Sequence, residues 1–535
     1  MAGRHFVLLP LIAAGCSDLP EAAQQARHLP NPLPSVTSVA TEGGASRASS
    51  VAVAEWPNRS PAGAGDEQGT RVYSKVRFLW VRSKPSDSAA WIGYLSLGDA
   101  APLAGGSRER ADAGPGGGSG CSRWVAIAPR GYVCVGQHGT TDGADPDVVE
   151  LRRRRAKGEP LPYGYGESLG TTVYLDVPPH RRQFYRETAF SKHMDEVVRA
   201  RAATSAAEVV AINPALVGVN LEPTGQPAPP SLLHLGPRSR PRKSAGKYGF
   251  PEVVAGSTIA YSYSFDAEGR SWLLTWDRGI IPSDRVRVFP QSTFHGVALG
   301  EGIDLPIAFF RRAQPKLRRD GEGVAPAGGS WPRHGWAALT GETVDLGDER
   351  YLVTTEGSLC RATDVSLPRR RDEPPEAVGR ASGRRTWVDI SITGGWLVAY
   401  EDRRPVYATM VSPGRGGLPR AGKPLLETAS TPVGDFAITG KFHTATMTSN
   451  YSEKVVHSEV PYTQNFSGPY ALHVAYWHDD WGVGKSGGCV NLAPIDGQRL
   501  FAWTDPPLPT GWHGMRAVKA DRAHYATATV VSLHR

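Results

Sequence analysis

Glycine and proline together make up about one residue in five of this 535-residue chain, with 61 Gly and 44 Pro, and that excess constrains the fold before any motif does. Proline removes a backbone donor and glycine weakens helices, so a chain punctuated this often sustains short strands joined by turns and linkers. A mainly β, multidomain architecture is expected, and the length allows three or four domains. The chain is 40% hydrophobic and 21% charged, a globular composition with a net charge of +8 that suits an anionic neighbourhood. The basic run Arg152-Arg153-Arg154-Arg155 has the composition of a solvated loop. No stretch interleaves aromatics with cations as a single-strand binder does, so no nucleic-acid partner is expected.

The N-terminus places Arg4 before the apolar run 6–14, too short to span a membrane as a mature helix. Residues 1–16 therefore read as a signal peptide of lipoprotein type, with Cys16 after Ala13-Ala14-Gly15 as the lipidation site. Cleavage without lipidation is the alternative. Location in the cell envelope or periplasm, tethered by a lipid, is the matching expectation. Residues 17–69, rich in Ala, Gly, Ser, Pro and Glu without periodicity, read as a flexible tether. An exported compartment permits a disulfide between Cys121 and Cys134 across a hairpin, worth about 3 kcal/mol in the chain-entropy model. Cys360 is left as a buried thiol.

Short β-rich runs at 76–82 and 90–95, followed by the cysteine hairpin, make 70–145 resemble a bacterial SH3-like module, with 105–120 as a Gly-rich surface loop. A β-rich middle region, 146–330, holds a helix expected at 195–211, a Pro/Arg-rich linker at 223–247, and strands at 271–276 and 286–289. A second small β unit and linker occupies 331–380, ending in the polar stretch 369–375. The last segment, 384–535, opens with apolar alternation on both sides of Gly394-Gly395, the pattern of a hairpin. Near its end, Pro494 suits the first turn of a helix reaching about Trp503, with Asp496 favourable at its N-terminus.

The chemistry-bearing residues lie in that last segment. Cys489 stands in the Gly-rich turn Lys485-Ser486-Gly487-Gly488, sixteen positions after His473. If two strands bring them together, the imidazole takes the thiol proton, and amides of the turn face a developing oxyanion. His478, in Trp477-His478-Asp479-Asp480, is the rival base. The string Gly482-Val483-Gly484-Lys485-Ser486 ends like a phosphate loop, but position 479 is Asp where that motif needs Gly, so no nucleotide site is expected. Neither a metal nor a cofactor is expected.

These residues resemble the L,D-transpeptidase catalytic domain of the YkuD family, whose signature is a His, a spacer, then Ser/Thr-His-Gly-Cys, a hydrophobic residue, and Asn or Arg. Here Ser486-Gly487-Gly488-Cys489-Val490-Asn491 fits except at Gly487, where a second histidine usually stands, and Val474 replaces the usual Gly or Ser. The blocks 387–391, 397–401 and 431–436 extend the resemblance over roughly the last third of the chain. It implies a β-rich sandwich with short helices, acting on peptidoglycan stem peptides through a Cys489 acyl-enzyme, with His473 as base. It also implies that Gly487, Gly488 and Cys489 amides form the oxyanion site, that Ser486 braces the loop, and that Asn491 braces it or meets a substrate carboxylate. An L,D-carboxypeptidase, a protein-to-wall transferase and a catalytically retired wall-binding protein remain the alternatives.

Overall fold

Alternation around Gly394-Gly395 closes as a hairpin: Thr386–Ser391 pairs antiparallel with Trp396–Glu401, from Thr386 opposite Glu401 to Ser391 opposite Trp396. The structure, a computed structural model, describes residues 70–117, 120–153, 159–229, 252–379, 384–448, 455–518, 525 and 527–535. The leader, Cys16, the tether and most of the linker at 223–247 lie outside the described residues.

The hairpin is the centre of a six-stranded sheet ordered Val297–Ala298, Arg404–Met410, Trp396–Glu401, Thr386–Ser391, Val530–His534, Gly434–Ala437. Successive side chains point to opposite faces, so the unbroken apolar run Trp396-Leu397-Val398-Ala399-Tyr400 makes both faces apolar. Val388, Ile390, Leu397 and Ala399 meet Leu472, Val490, Leu492 and Leu500 on one side. On the other, Trp387, Trp396, Val398 and Tyr400 meet Phe294, Ile307, Phe309 and Trp481. Each fully buried aliphatic side chain in these layers contributes about 2 kcal/mol. The Trp387 and Tyr400 rings stack at 4.1 Å.

A ten-stranded sheet supplies the layer that carries Leu472 and Val490. It runs Val490–Leu492, Tyr470–Val474, Val456–Ser467, Gly440–Thr448 and Gly514–Arg516, then continues through Trp91–Leu95, Leu79–Arg82, Tyr132–Gly136, Cys121–Ala126 and Asp112–Pro115. Two further sheets, of five and seven strands, span Gly164–Val288 and Ile307–Ser366. Among the described residues no helix is long and apolar enough to cross a membrane.

The segment limits read from composition cut through shared cores. Strands of 70–145 are hydrogen-bonded into the C-terminal sheet through Gly93 opposite Met515 and Tyr94 opposite Gly514. Trp512 and Met515 fill the core under Val72, Val81 and Val125. The seven-stranded unit begins at Ile307 rather than 331, because Ile307–Phe310 pairs with both Trp336–Leu346 and Val365–Ser366. Asp112–Pro115 adds an edge strand where a loop was expected. The single helix expected at 195–211 is two, Phe190–Ala202 and Ala206–Ile212. Ser205 starts the second by accepting the Glu208 N–H, while the Glu208 carboxylate accepts the Thr204 N–H, so local capping outcompetes continuation.

The cysteine hairpin forms, with Cys121 and Cys134 joined by a disulfide and their Cα atoms 5.5 Å apart. Cys360 is a buried free thiol, its pKa raised to about 11 by desolvation.

Candidate active site

The crossover from Tyr470–Val474 to the parallel strand Val490–Leu492 carries the site. Register sets Leu472 beside Val490, His473 beside Asn491 and Val474 beside Leu492. Since Leu472, Val490 and Leu492 enter the sandwich core, alternation turns Ala471, His473, Cys489 and Asn491 together to the opposite face. All four are fully buried. The Cys489 sulfur accepts the Ala471 N–H at 3.4 Å and lies 3.9 Å from the Pro469 carbonyl oxygen.

Hydrogen bonding assigns a single proton to each histidine. His473 donates from Nδ1 to the Val474 carbonyl at 3.0 Å, so Nε2 is its basic nitrogen, and Nε2 accepts from the Asn491 side-chain amide at 3.2 Å. The oxygen of that amide accepts from His478 Nε2 at 3.2 Å, and His478 Nδ1 accepts the Asp480 N–H at 3.3 Å. Sequence reasoning treated His473 and His478 as rivals; one asparagine joins them. Burial pushes both imidazoles down to about 4, which keeps them neutral near pH 7. The same holds for His457, missed in the sequence, which stacks on Trp477 at 4.8 Å and has no hydrogen-bond partner at either ring nitrogen among the described residues. Nothing in its sequence context, Val456-His457-Ser458, marks it.

Ser486 closes the turn that presents the cysteine. Its hydroxyl donates to the Cys489 carbonyl at 2.5 Å and accepts the Gly488 N–H at 3.0 Å, while its own N–H reaches the Pro413 carbonyl. The Gly488 amide is thereby spent on the turn, a correction to the expectation that it would serve an oxyanion. Gly488 has φ +133, and a Cβ there would sit 2.6 Å from the Tyr470 ring and 2.9 Å from the Ser430 carbonyl, so the turn requires glycine. Gly487 is buried beside it.

The loop between the strands is pinned from outside the segment that carries the motif. Asp479 accepts from Ser292 and from the Trp481 indole, Arg333 pairs with Asp479 and Asp480, and Lys485 pairs with Asp480 at 2.9 Å. Asp480 is held below the usual carboxylate range by Lys485, against the opposing effect of its burial, which is the larger single influence. Asp496, in the helix Pro494–Trp503, accepts from Gly296 N, Tyr407 OH and Thr409 Oγ1. It anchors residue 296 to the catalytic layer as well as standing at a helix N-terminus.

Residues 385–519 match the family model described as YkuD, the L,D-transpeptidase catalytic domain. Among solved structures, an L,D-transpeptidase from Xylanimonas cellulosilytica is 23% identical, with a TM-score of 0.19 over 29% of this chain and 62% of that one. One from Stackebrandtia nassauensis is 25% identical, at 0.19 over 29% of this chain and 58% of that one. The catalytic domain of the E. faecium enzyme is 19% identical, at 0.19 over 28% of this chain and 98% of that one. The chain thus spans less than two thirds of the first two structures. No curated protein matches it.

Proposed function

We propose, from the premise that residues 385–519 carry a YkuD L,D-transpeptidase catalytic domain, that this chain is a peptidoglycan L,D-transpeptidase forming cross-links through an acyl-enzyme on Cys489. The observation that carries the reading is the shared buried face of Cys489 and His473, with His473 Nδ1 fixed on the Val474 carbonyl. That bond leaves Nε2 to accept a proton.

In the first half-reaction the Cys489 thiol, released by reduction of the disulfide that its sulfur forms in this structure, gives its proton to His473 Nε2, and the thiolate sulfur adds to the carbonyl carbon at the L-centre of diaminopimelate in a tetrapeptide stem. The adjacent C–N bond breaks, and D-Ala departs with the proton returned by His473. The product is a thioester. In the second, an acceptor amine attacks that thioester, gives its proton to His473, and releases the Cys489 sulfur. With Gly488 engaged by Ser486, the Gly487 amide is the donor assigned to the tetrahedral oxyanion. Ser486 and Asn491 hold the turn and the base. The leader reading of residues 1–16 places this chemistry in the cell envelope, with Cys16 as the lipid anchor.

Incubation of the reduced protein with purified disaccharide-tetrapeptide should give a mass adduct on Cys489 with loss of D-Ala. Cys489→Ala should abolish it, and His473→Ala should slow it about 100-fold or more. A folded wild-type protein that forms no adduct would sink the enzyme reading and favour the wall-binding alternative.

A further inference from the structure

A cavity of about 380 Å³ opens where the five-stranded unit meets the catalytic sheet, within the size range of small-ligand sites. Its apolar lining is dominated by the rings of Tyr163, Tyr165, Tyr261, Phe289 and Tyr476. Tyr165 and Tyr476 form a fixed floor: their rings stack at 3.8 Å, and their hydroxyls donate to the carbonyls of Glu459 and Ser458, each at 2.8 Å. Tyr163, Tyr261 and Phe289 are half-buried and leave ring surface at the walls. Gly164 lets Tyr261 lie flat there, since a Cβ would fall 2.4 Å from its ring.

Polar groups stand at the margin, namely Ser262, Gln291 and Glu159. The Glu159 carboxylate stands in the lining and would repel an anionic ligand such as a phosphate polymer or a free carboxylate. Ring faces surrounded by hydroxyl and amide groups match a sugar, whose C–H face covers an aromatic ring while its hydroxyls and acetamido group bond at the edge. The floor residue Tyr476 packs edge-on against Trp477 at 4.9 Å, and the Trp477 ring lies 5.9 Å from that of His473. The cavity therefore shares a continuous aromatic layer with the proposed base. Apart from Tyr476, its lining lies outside residues 385–519.

We propose that this cavity is a saccharide subsite that binds an uncharged N-acetylhexosamine segment of the glycan to which the donor stem peptide is attached. The link to the donor rests on the transpeptidase reading; binding of the sugar does not. The subsite would hold the glycan while the stem reaches Cys489, so it should act on substrate capture rather than on bond making.

Titration calorimetry of the full chain with a soluble N-acetylglucosamine tetramer tests this. Wild type should bind, and Tyr261→Ala and Phe289→Ala should each weaken binding about tenfold or more, while Phe289→Tyr retains it. Gln291→Ala, at the exposed margin, should weaken binding without altering the thermal melt, so the test survives if a ring variant fails to fold. In turnover assays Phe289→Ala should raise KM for glycan-linked tetrapeptide and leave kcat, and KM for free tetrapeptide, unchanged. Failure of wild type to bind the tetramer, equal binding by the variants, or preference for a polyphosphate over the tetramer would overturn the subsite. Tetramer binding by a protein that forms no Cys489 adduct would leave the subsite standing and remove the transpeptidase reading. Turnover without tetramer binding would do the reverse.

Discussion

His473 accepts a hydrogen bond from Asn491 at 3.2 Å across a parallel strand pair, so the proposed base is held by a side chain that must change role when the base takes a proton. A protonated Nε2 donates, and Asn491 must then offer its oxygen in place of its NH₂ group. That oxygen already receives the His478 N–H. Asn491→Asp replaces the amide with an anion in contact with both rings. An opposite charge at this distance should raise the histidine pKa values by about 1–3 units. The acid limb of the acylation pH profile should move upward with it. An unchanged profile in a variant that still acylates would show that Asn491 does not set the state of His473.

The buried histidines also predict how stability depends on pH. His473 and His457 have folded pKa values of about 4, depressed from an unfolded value of about 6.5. The folded state binds fewer protons between those values, so the stabilisation is complete above about pH 6.5 and is lost as pH falls toward 4. A single such histidine is worth on the order of 3 kcal/mol across that window. Denaturant midpoints at pH 7.5 and pH 5 should differ accordingly, and His457→Phe should flatten the difference. A variant with the same pH slope as wild type would exclude His457 as a contributor.

Gly488 gives the sharpest steric prediction. Gly488→Ala must place its Cβ against the Tyr470 ring and the Ser430 carbonyl at a backbone angle that L-residues rarely adopt. It should cost about 1–3 kcal/mol of stability and more than 100-fold in acylation, because the Ser486 to Cys489 turn would have to open. A melt and an adduct assay on the same sample separate the two effects. Wild-type acylation by this variant would show that the turn is not rigid.

What could be read in the sequence was local. The hairpin through Trp387 and Tyr400 follows from alternation around Gly394-Gly395, and the helix from Pro494 follows from the proline at its first turn. The Cys489 to His473 spacing pointed to adjacent strands because a Gly-rich turn and a β-run flank it. What escaped were partners brought together by the fold. Ser292 on Asp479, Gly296 on Asp496 and Arg333 on Asp480 join positions nearly 150 or more residues apart, and nothing in Gln291-Ser292-Thr293 marks a residue that steadies the loop. The Glu459 carboxylate is similar in part: Arg77 reaches it across 382 positions, whereas Thr444 comes from the paired strand only 15 positions away. Domain limits drawn from linker composition fail for the same reason, since the polar stretch at 369–375 interrupts the sequence without interrupting the core.

That shared core predicts the behaviour of fragments. Phe309 is fully buried and belongs to the layer that holds Trp387, Trp396 and Trp481, although it lies outside the segment that matches the catalytic family. A fragment comprising residues 380–535 would expose that layer and would also lose the strand Trp91–Leu95 that pairs with Gly514–Arg516. It should be poorly cooperative in thermal unfolding, and Phe309→Ala in the full chain should cost about 3–5 kcal/mol. The loss should reach the catalytic loop, because Phe309 and Trp481 lie in the same cluster and Trp481 holds Asp479. Acylation by Phe309→Ala should therefore fall at temperatures where the variant is still folded by far-UV circular dichroism. A 380–535 fragment that unfolds cooperatively at the full chain's melting temperature would show instead that the residues before 380 merely cover a catalytic domain that is stable alone.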